Sequence, residues 1–415
     1  MNRMKLGEIL SVKHGWAFKG EYFAEDGEQS ILTPGNFFEK GGFKPNNGKE
    51  RYYTGTYPKE YLCHKGDLIV AMTQQAEGLL GSTALVPENN KYLHNQRIGL
   101  ITCDEKRLNK LFAYYLFMTK SVREQLERSS SGTKVKHTSP EKIYDVEVEI
   151  PDVISQQKIA NLLWSIDEKI ANNNAINDNL EQQAKLLYNY WFIQFNFPDE
   201  NGNPYHSSGG QLVWNKNLQQ EIPQDWRSGN LYDIADYING IACQKYRPSD
   251  EEHSLPVVKI REMNGGITND TERVSSTIPA KNIISSGDIL FSWSASLEVI
   301  MWYGVDAGLN QHIFKVVPKS YFSSEYVYLQ LSEYLIHFIK IAEARKTTMG
   351  HITSEHLQDS HIILPPANII KNFSEYVRPI YQMKKQIANE TSELIKLRDW
   401  LIPMLMNGQA NQYVE

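Results

Sequence analysis

The amino-acid sequence predicts an α+β protein with two pseudo-symmetric α/β domains joined by two long antiparallel coiled-coil helices. Three observations carry this prediction. The segment SSGTKVKHTSPEKI (130–143) recurs as ARKTTMGHITSEHL (344–357), with His137 falling on His351 at an offset of 214. Short apolar runs between Gly, Pro and Asn, as in DLIVAM and RIGLIT, are typical of strands and turns. Each copy then changes to a heptad pattern over about 40 residues.

The composition is that of a globular chain in the reducing cytoplasm. Its 415 residues are 41% hydrophobic and 22% charged, which suits two or three domains. No apolar run reaches the roughly 18 residues of a membrane span, and no secretory pattern opens the chain. Cys63, Cys103 and Cys243 fit neither a disulfide framework nor a zinc spacing. The net charge of −6 disfavours a protein that grips nucleic acid by bulk electrostatics alone, so such a footprint must be local or shared with a partner.

The repeat extends along the whole chain. The offset of 214 carries Pro151 onto Pro365 without a gap in between. Further matching segments are GDLIVAMT (66–73) with GDILFSWS (287–294), HNQRIGLI (94–101) with NQHIFKVV (310–317), and KLGEILSVKHGWAF (5–18) with NLYDIADYINGIAC (230–243). A period of this length indicates two copies of one plan. The predicted segments are globular domains at 1–152 and 230–365, long helices at 153–192 and 366–408, and a linker at 193–229.

The two long helices are expected to pack on each other. Mostly apolar residues step by four and three from Ile159 through Leu163 to Trp191. The same spacing recurs from Phe373 to Leu405, where the charged Lys384 and Arg398 interrupt it. Neither helix can bury such a stripe alone, and a chain that goes out along one helix must return along the other. Each would run about 60 Å. The alternative is that both belong to one large helical core, for which the 3-4 spacing is stricter than necessary.

Polar residues interrupt this seam at its centre. Asn173 and Asn177 occupy seam positions, and the second copy has Ile387 and Thr391 there. These four positions are candidates for fixing the register of the helix pair, since a polar seam residue specifies register at some expense in stability. Simple exposure at the edge of the seam is an equal alternative for the two asparagines.

The sequence carries no recognisable catalytic motif. GGFKPNNGKE (41–50) encloses five residues between glycines where a phosphate loop needs four, so it is interpreted as a turn. A nuclease-like pair of acids, Asp152 and Asp167, would lie roughly 20 Å apart along a continuous helix, too far to share a metal. His351 and His356 lack the spacing of a zinc pair on one helical face. We expect no catalytic residue, metal or cofactor in this chain.

Two further passages complete a family resemblance. The passages are LYNYWFIQFNFPDENGNPYHSSGGQLVWNKNLQQEIPQDW (187–226) and RDWLIPMLMNGQ (398–409). Together with the duplicated GDI-L…NQ…GHIT…LP arrangement, they resemble the specificity subunit of a bacterial type I restriction-modification system. The resemblance spans nearly the whole chain. It implies that 1–152 and 230–365 are target-recognition domains, each reading half of a split double-stranded DNA sequence, and that the paired helices set the spacing and dock two methyltransferase (modification) subunits. It also implies that partner subunits bring S-adenosylmethionine, ATP and magnesium, and it leaves the presence of a restriction (translocase) subunit open.

Candidate DNA contacts cluster around the repeated segment. Polar and basic side chains there can hold phosphates or read base edges in the major groove. In the first domain they are Gln74, Gln75, Arg97, Ser131, Thr133, Lys134, Lys136 and His137; in the second they are Lys259, Arg261, Ser292, Ser294, Arg345, Lys346, Thr347, Thr348 and His351. The recurring pairs Asn95-Gln96 and Asn310-Gln311 are better explained by satisfied backbone groups.

The two copies differ in sequence in the segments where different DNA bases would be recognised. Residues 19–65 and 244–286 align poorly, which predicts an asymmetric, bipartite target. Two other readings stay open at this point. One is a specificity subunit serving a methylation-only or other phage-defence complex. The other is a coiled-coil adaptor with two protein-binding heads, to which the charge of about −5 over residues 216–365 lends support.

Overall fold

The computed structural model describes residues 2–46, 48–74, 76–132, 135–249, 253–268, 270–294, 296–344, 351–406 and 408. Contacts divide the chain into two compact units. Unit 1 comprises Met1–Ile170 and Glu393–Glu415, and unit 2 comprises Ala171–Ser392. Each of the two long helices therefore contributes residues to both units. None of the described helices combines the length and apolarity needed to cross a membrane.

The described residues of unit 1 form two four-stranded sheets and a two-stranded one. Its strands are β1 Asn2–Lys5, β2 Leu10–His14, β3 Phe23–Ala24, β4 Ser30–Ile31, β5 Tyr52–Tyr53, β6 Leu68–Ala71, β7 Thr83–Leu85, β8 Tyr92–Leu93, β9 Ile98–Cys103 and β10 Glu147–Ile150. Its helices are α1 Lys110–Leu116, α2 Lys120–Ser129 and α3 Pro140–Tyr144, followed by the first part of α4, Val153–Tyr188. The sheet orders are β2-β9-β6-β7, β3-β5-β4-β8 and β1-β10.

Unit 2 repeats this plan. After a π-helical turn at Asn189–Ile193 come β11 Leu212–Asn215, β12 Gln220–Pro223, β13 Arg227–Gly229, α5 Leu231–Ile234, β14 Ala235–Asn239, β15 Ser254–Val258, α6 Ile260–Gly265, β16 Arg273–Ser275, β17 Ile283–Ile284, β18 Ile289–Ser292, β19 Glu298–Met301, β20 Ala307–Leu309, β21 Ile313–Pro318, α7 Ser324–Ala344, α8 Ser354–Gln358, β22 Ile362–Leu364 and α9 Ala367–Met406. The order β14-β21-β18-β19 matches β2-β9-β6-β7, and the parallel pair β15·β20 matches β4·β8. The predicted duplication is thus present in the topology as well as in the sequence.

The core of each unit includes its share of the long helices. In unit 1, Leu163 of α4 and Ile402 of α9 join the buried cluster around Phe112 and Tyr115. In unit 2, Ala184 of α4 and residues of α9 join a larger aromatic cluster. The buried aromatic members of that cluster are Tyr188, Trp191, Phe192, Phe195, Phe197, Trp226, Phe291, Phe314, Phe322, Tyr326, Tyr328, Phe338, Phe373 and Tyr381. The apolar seam residues of α4 from Ile159 to Ala184 are buried, as are Phe373 and Val377 of α9. The remaining apolar seam positions of α9 are only half-buried, namely Ile380, Ile387, Leu394, Leu401 and Leu405, so the heptad pattern predicted the burial of α4 better than that of α9.

Within each unit the two long helices run antiparallel. In unit 1, Arg398 donates to Asp167 at 2.9 Å, and the later α9 residue Ile402 belongs to the same cluster as the earlier α4 residue Leu163. In unit 2, Asn173 donates to Glu390 at 2.8 Å, and Glu181 forms an ion pair with Lys384. The α+β class with a paired set of long helices is confirmed.

Candidate nucleic-acid interface

The repeated segment of unit 1 is fastened to the end of strand β6. Thr138 donates its backbone N–H to the Met72 carbonyl at 2.9 Å, and Gln74 donates to the Lys136 carbonyl at 2.9 Å. His137 Nδ1 lies 3.1 Å from the Thr73 hydroxyl. These contacts fix the backbone on both sides of His137 while its side chain stays exposed.

Unit 2 repeats one of these contacts. Ile352 donates to the Trp293 carbonyl at 3.0 Å, which is the counterpart of the bond from Thr138 to Met72. Trp293 follows strand β18 as Met72 follows β6. Its indole ring lies 5.7 Å from the imidazole ring of His351, centroid to centroid. The predicted equivalence of His137 and His351 therefore holds at the level of backbone contacts.

The recurring asparagines hold a second shared element. Asn95 and Asn310 form parallel bridges with Trp16 and Ile241, respectively. The Asn95 side chain accepts the backbone N–H two residues later at 3.3 Å, and that of Asn310 does the same at 3.4 Å. Both asparagines thus satisfy backbone groups, which agrees with the structural role expected for them.

These two elements meet in a shallow depression of unit 1. It measures about 320 Å³ and is lined by His14, Met72, Thr73, Gln96, Arg97, His137 and Thr138. We call it the His137 depression. Arg97, Gln96 and His137 are exposed, and the buried Met72 and Thr138 form part of its wall. Exposed donors on a hydrogen-bonded backbone are an arrangement that can bind a polar ligand.

The other candidates of unit 1 surround this depression or lie close to it in sequence. Ser131 is exposed and exchanges backbone hydrogen bonds of 3.0 and 2.8 Å with His137. Gln74 is half-buried. Lys136 is half-buried and forms an ion pair with Glu127, which competes with a phosphate contact. Gln75, Thr133 and Lys134 lie outside the described residues.

In unit 2, His351 is exposed, and the basic residues Lys259 and Arg261 are accessible. Lys259 follows strand β15 and pairs with Glu272, while the exposed Arg261 pairs with the buried Glu262. Arg345, Lys346, Thr347 and Thr348 lie outside the described residues.

Ser292 and Ser294 correct the sequence-based picture. Ser292 is fully buried; its hydroxyl donates to the Ser296 carbonyl and accepts the Glu298 N–H at 3.1 Å. Ser294 is 5% exposed. Neither serine offers its hydroxyl to a DNA surface in this conformation. Ser292 instead closes the short connection between β18 and β19.

A family model for the type I restriction modification DNA specificity domain matches residues 1–182 and 223–397. The chain belongs to the type I restriction-modification DNA specificity family. The predicted identity, a non-catalytic type I specificity subunit that recognises DNA, is confirmed by this match.

Named relatives of this specificity subunit carry the same description. The type I restriction enzyme MjaIX specificity subunit of Methanocaldococcus jannaschii is 26% identical over 312 residues, which cover 72% of this chain and 68% of that protein. The HindI specificity subunit of Haemophilus influenzae is 22% identical over 360 residues, covering 72% and 77%. The crystal structure of the S subunit of a type I system from M. genitalium superposes with a TM-score of 0.56 at 15% identity and covers 98% of this chain and 96% of that one, which supports the fold.

Sequence reasoning missed two residues beside these candidates. His312 follows Asn310-Gln311 as Arg97 follows Asn95-Gln96, and its ring lies 5.6 Å from Trp293. Trp293 therefore contacts both His312 and His351. The aligned triplets NQR and NQH contained this signal, because the third residue differs while the first two recur.

In unit 1, the side chain of Arg123 binds backbone carbonyls of the connection between β6 and β7, which begins near Gln74. The Arg123 guanidinium donates to the carbonyls of Gly78 at 2.9 Å, Leu80 at 2.8 Å and Glu39 at 3.3 Å. Burial lowers the pKa of Arg123 to about 10, but the group stays charged at neutral pH. Hydrogen bonds from a charged donor are stronger than neutral ones, so this clamp fixes the loop between β6 and β7.

The cysteines of unit 1 are poor nucleophiles. Burial raises the pKa of the Cys63 and Cys103 thiols to about 12, so neither forms a nucleophilic thiolate at neutral pH. The described residues contain no group of three or more His, Cys, Asp and Glu side chains that could hold a metal ion.

Proposed function

We propose that this specificity subunit reads an asymmetric, bipartite double-stranded DNA target, one half-site with residues 1–152 and the other with residues 230–365. The proposal rests on the backbone contacts that the two domains share. They are formed around Met72 and Asn95 in the first domain and around Trp293 and Asn310 in the second, and we call them the backbone frame. Met72 and Trp293 occupy equivalent places in it, as do Arg97 and His312, yet the side chains differ. One frame with different side chains suits two half-sites of different sequence.

The direct contacts are assigned to exposed polar side chains on this frame. Arg97, His137 and Ser131 serve the first half-site, and His351 serves the second together with Lys259 and Arg261. Gln74 and Lys136 supply further polar contacts, with Lys136 released from Glu127 on binding. The candidates outside the described residues are Gln75, Thr133, Lys134, Arg345, Lys346, Thr347 and Thr348. Phosphate contacts among these position the subunit, while base contacts select sequence.

The paired helices are assigned the role of a ruler that fixes the number of unread base pairs. Asn173 is 1% exposed and bonded to Glu390, and Thr391 is 9% exposed. Buried polar groups tolerate few alternative alignments. We therefore assign Asn173, Asn177, Ile387 and Thr391 to fixing the register of the helix pair.

The outer faces of these helices are proposed to dock two methyltransferase (modification) subunits. In unit 1, Leu162 is 47% and Trp400 59% exposed; in unit 2, Leu186 is 68% and Tyr376 60% exposed. Large apolar side chains left open along a helix favour protein partners. Those partners would bring S-adenosylmethionine and, if restriction (translocase) subunits join, ATP and magnesium. The complex would act in the cytoplasm.

One experiment tests the proposal as a whole. N6-methyladenine is mapped across the genome in cells with and without this gene, together with its modification subunit. The expected result is one methylated bipartite motif that disappears with the gene. Replacing residues 1–150 by those of another specificity subunit should change one half-site and preserve the other. A motif that does not depend on the gene would favour the adaptor reading, and loss of both halves after the swap would contradict the division between domains.

A further inference from the structure

We propose that Arg97 and His312 are equivalent base-reading residues that set the specificity of the two half-sites. The inference rests on the proposed bipartite recognition and assigns one position in each domain to it. The two residues follow the recurring Asn-Gln pairs and precede strands β9 and β21.

The backbone holds both residues in the same way. The Arg97 carbonyl accepts the N–H of Met72 at 3.0 Å, and the His312 carbonyl accepts the N–H of Trp293 at 3.3 Å. Each backbone N–H in turn donates to the asparagine two residues earlier, at 3.3 and 3.4 Å. The backbone N–H and the backbone carbonyl of each residue are thus hydrogen-bonded. Only the side chain differs between the two domains.

Arg97 is free to engage a ligand. Its side chain is exposed in the His137 depression, next to Gln96 and His137. Within the part of the chain that the structure describes, no carboxylate lies within 4 Å of its guanidinium. An exposed guanidinium on a rigid frame can donate two parallel hydrogen bonds to O6 and N7 of guanine.

His312 has an unsatisfied ring nitrogen. Its Nε2 lies 3.2 Å from the amide nitrogen of Gln311 and so acts as the acceptor, which puts the proton on Nδ1. That Nδ1 is buried and has no hydrogen-bond partner among the described residues. A buried polar atom without a partner is rare in proteins. Because protein atoms cover Nδ1 in this conformation, the His312 ring has to turn to present its N–H to a base. The ring is supported by Trp293, which also contacts His351.

The two side chains predict different readout. The fork of Arg97 matches guanine at two atoms, whereas a single imidazole N–H of His312 matches one acceptor, such as a purine N7. Exchanging them should therefore alter one base preference in each half-site. It should leave the frame, the spacer and the opposite half-site unchanged.

The test uses full-length variants assembled with wild-type modification subunits. Arg97→His should change the preference at one position of the first half-site by roughly 10- to 100-fold and leave the second half-site unchanged. His312→Arg should do the converse. Arg97→Lys keeps the charge but loses the fork, so it should retain overall affinity and relax the same single position. Arg128→His is the matched control, because it removes an equal charge from an exposed residue paired with Glu124.

Specific outcomes would overturn the inference. A uniform loss of affinity across all sequences, with a salt dependence smaller by about one ion, would make Arg97 a phosphate contact. An unchanged methylation motif in both Arg97→His and His312→Arg would refute the assignment outright. These results are distinguishable from failure of the proposed function, in which the wild-type complex itself would show no bipartite motif.

Discussion

Replacement of Gly15 by alanine tests the frame that positions the candidate contacts. A Cβ at residue 15 would lie 2.1 Å from the carbonyl oxygen of Asn95 and 2.6 Å from that of His94. Both are backbone atoms, so no flexible side chain can move aside. The two chain segments would have to separate by about 1 Å to reach the 3.0 Å below which such contacts are essentially absent.

The expected cost follows from this geometry. Overpacking typically costs about 1–3 kcal/mol, and a clash between two backbones belongs at the upper end. Separation would also stretch the hydrogen bonds from Trp16 to His94, 2.8 Å, and from Gln96 to Trp16, 3.2 Å. We expect the free energy of unfolding to fall by about 3 kcal/mol. For a unit of this size that lowers the melting temperature by roughly 6–12 °C.

The assay is differential scanning calorimetry of the full chain, with Gly20→Ala as the matched control. A Cβ at Gly20 has no atom within 4 Å, so that variant should melt like the wild type or slightly higher. Gly240→Ala should behave like Gly15→Ala, since its Cβ would lie 2.0 Å from the Asn310 oxygen. Melting of Gly15→Ala within about 2 °C of Gly20→Ala would refute the steric argument.

Three further changes test the long helices. Asp167→Asn removes one of the two carboxylates that pair with the largely buried Arg398, the other being Asp399, so the free energy of unfolding should fall by about 2 kcal/mol in urea titrations. Glu147→Gln, at an exposed ion pair, is the control, and equal midpoints for the two variants would contradict this. Burial raises the pKa of Asp399, but hydrogen bonds from Arg398 and Lys40 outweigh the effect of burial and lower the pKa overall. That stabilisation is complete above the unfolded value near 3.8 and is lost as the pH falls through the lower folded value, so Asp399→Asn should flatten the acid side of a melting-temperature profile. Asn173→Leu should raise the melting temperature and broaden the spacer lengths that are methylated; an unchanged spacer would show that Asn173 does not fix the register.

The helix pair was largely predictable because its signal is local and repeated. Ile159 and Leu163 are buried, as their spacing indicated. The charged residues on the second seam were harder to interpret. Arg398 and Lys384 occupy seam positions, and each meets an acid on the other helix, Asp167 and Glu181 respectively. The acidic partners lie more than 200 residues away in the sequence, so a local pattern cannot reveal them. The sequence showed that charged residues interrupt the apolar seam, but it could not show which acids pair with them.

The limits of prediction are clearest at the serines. Ser292 is a predicted DNA contact because it lies in GDILFSWS (287–294), the segment that corresponds to the one just before Gln74 in the first copy. The structure buries it because the connection to β19 is short and Ser292 supplies the hydrogen bonds that close it. Whether a loop closes on its own serine depends on the whole turn, which the alignment of the two copies could not reveal. Whether residues 1–152 and 230–365 fold as separate recognition domains stays a prediction.

The frame and the residues it presents should respond to mutation in opposite ways. Asn95 and Gly15 hold backbone against backbone, so changes there reduce stability and move every side chain on the frame. Arg97 makes its frame contacts through its peptide groups alone, so its side chain can change without loss of the fold. Asn95→Ala should therefore lower the melting temperature while Arg97→His should not, and only the latter should alter the methylated sequence. If Arg97→His melted as early as Asn95→Ala, the separation between frame and readout would be wrong.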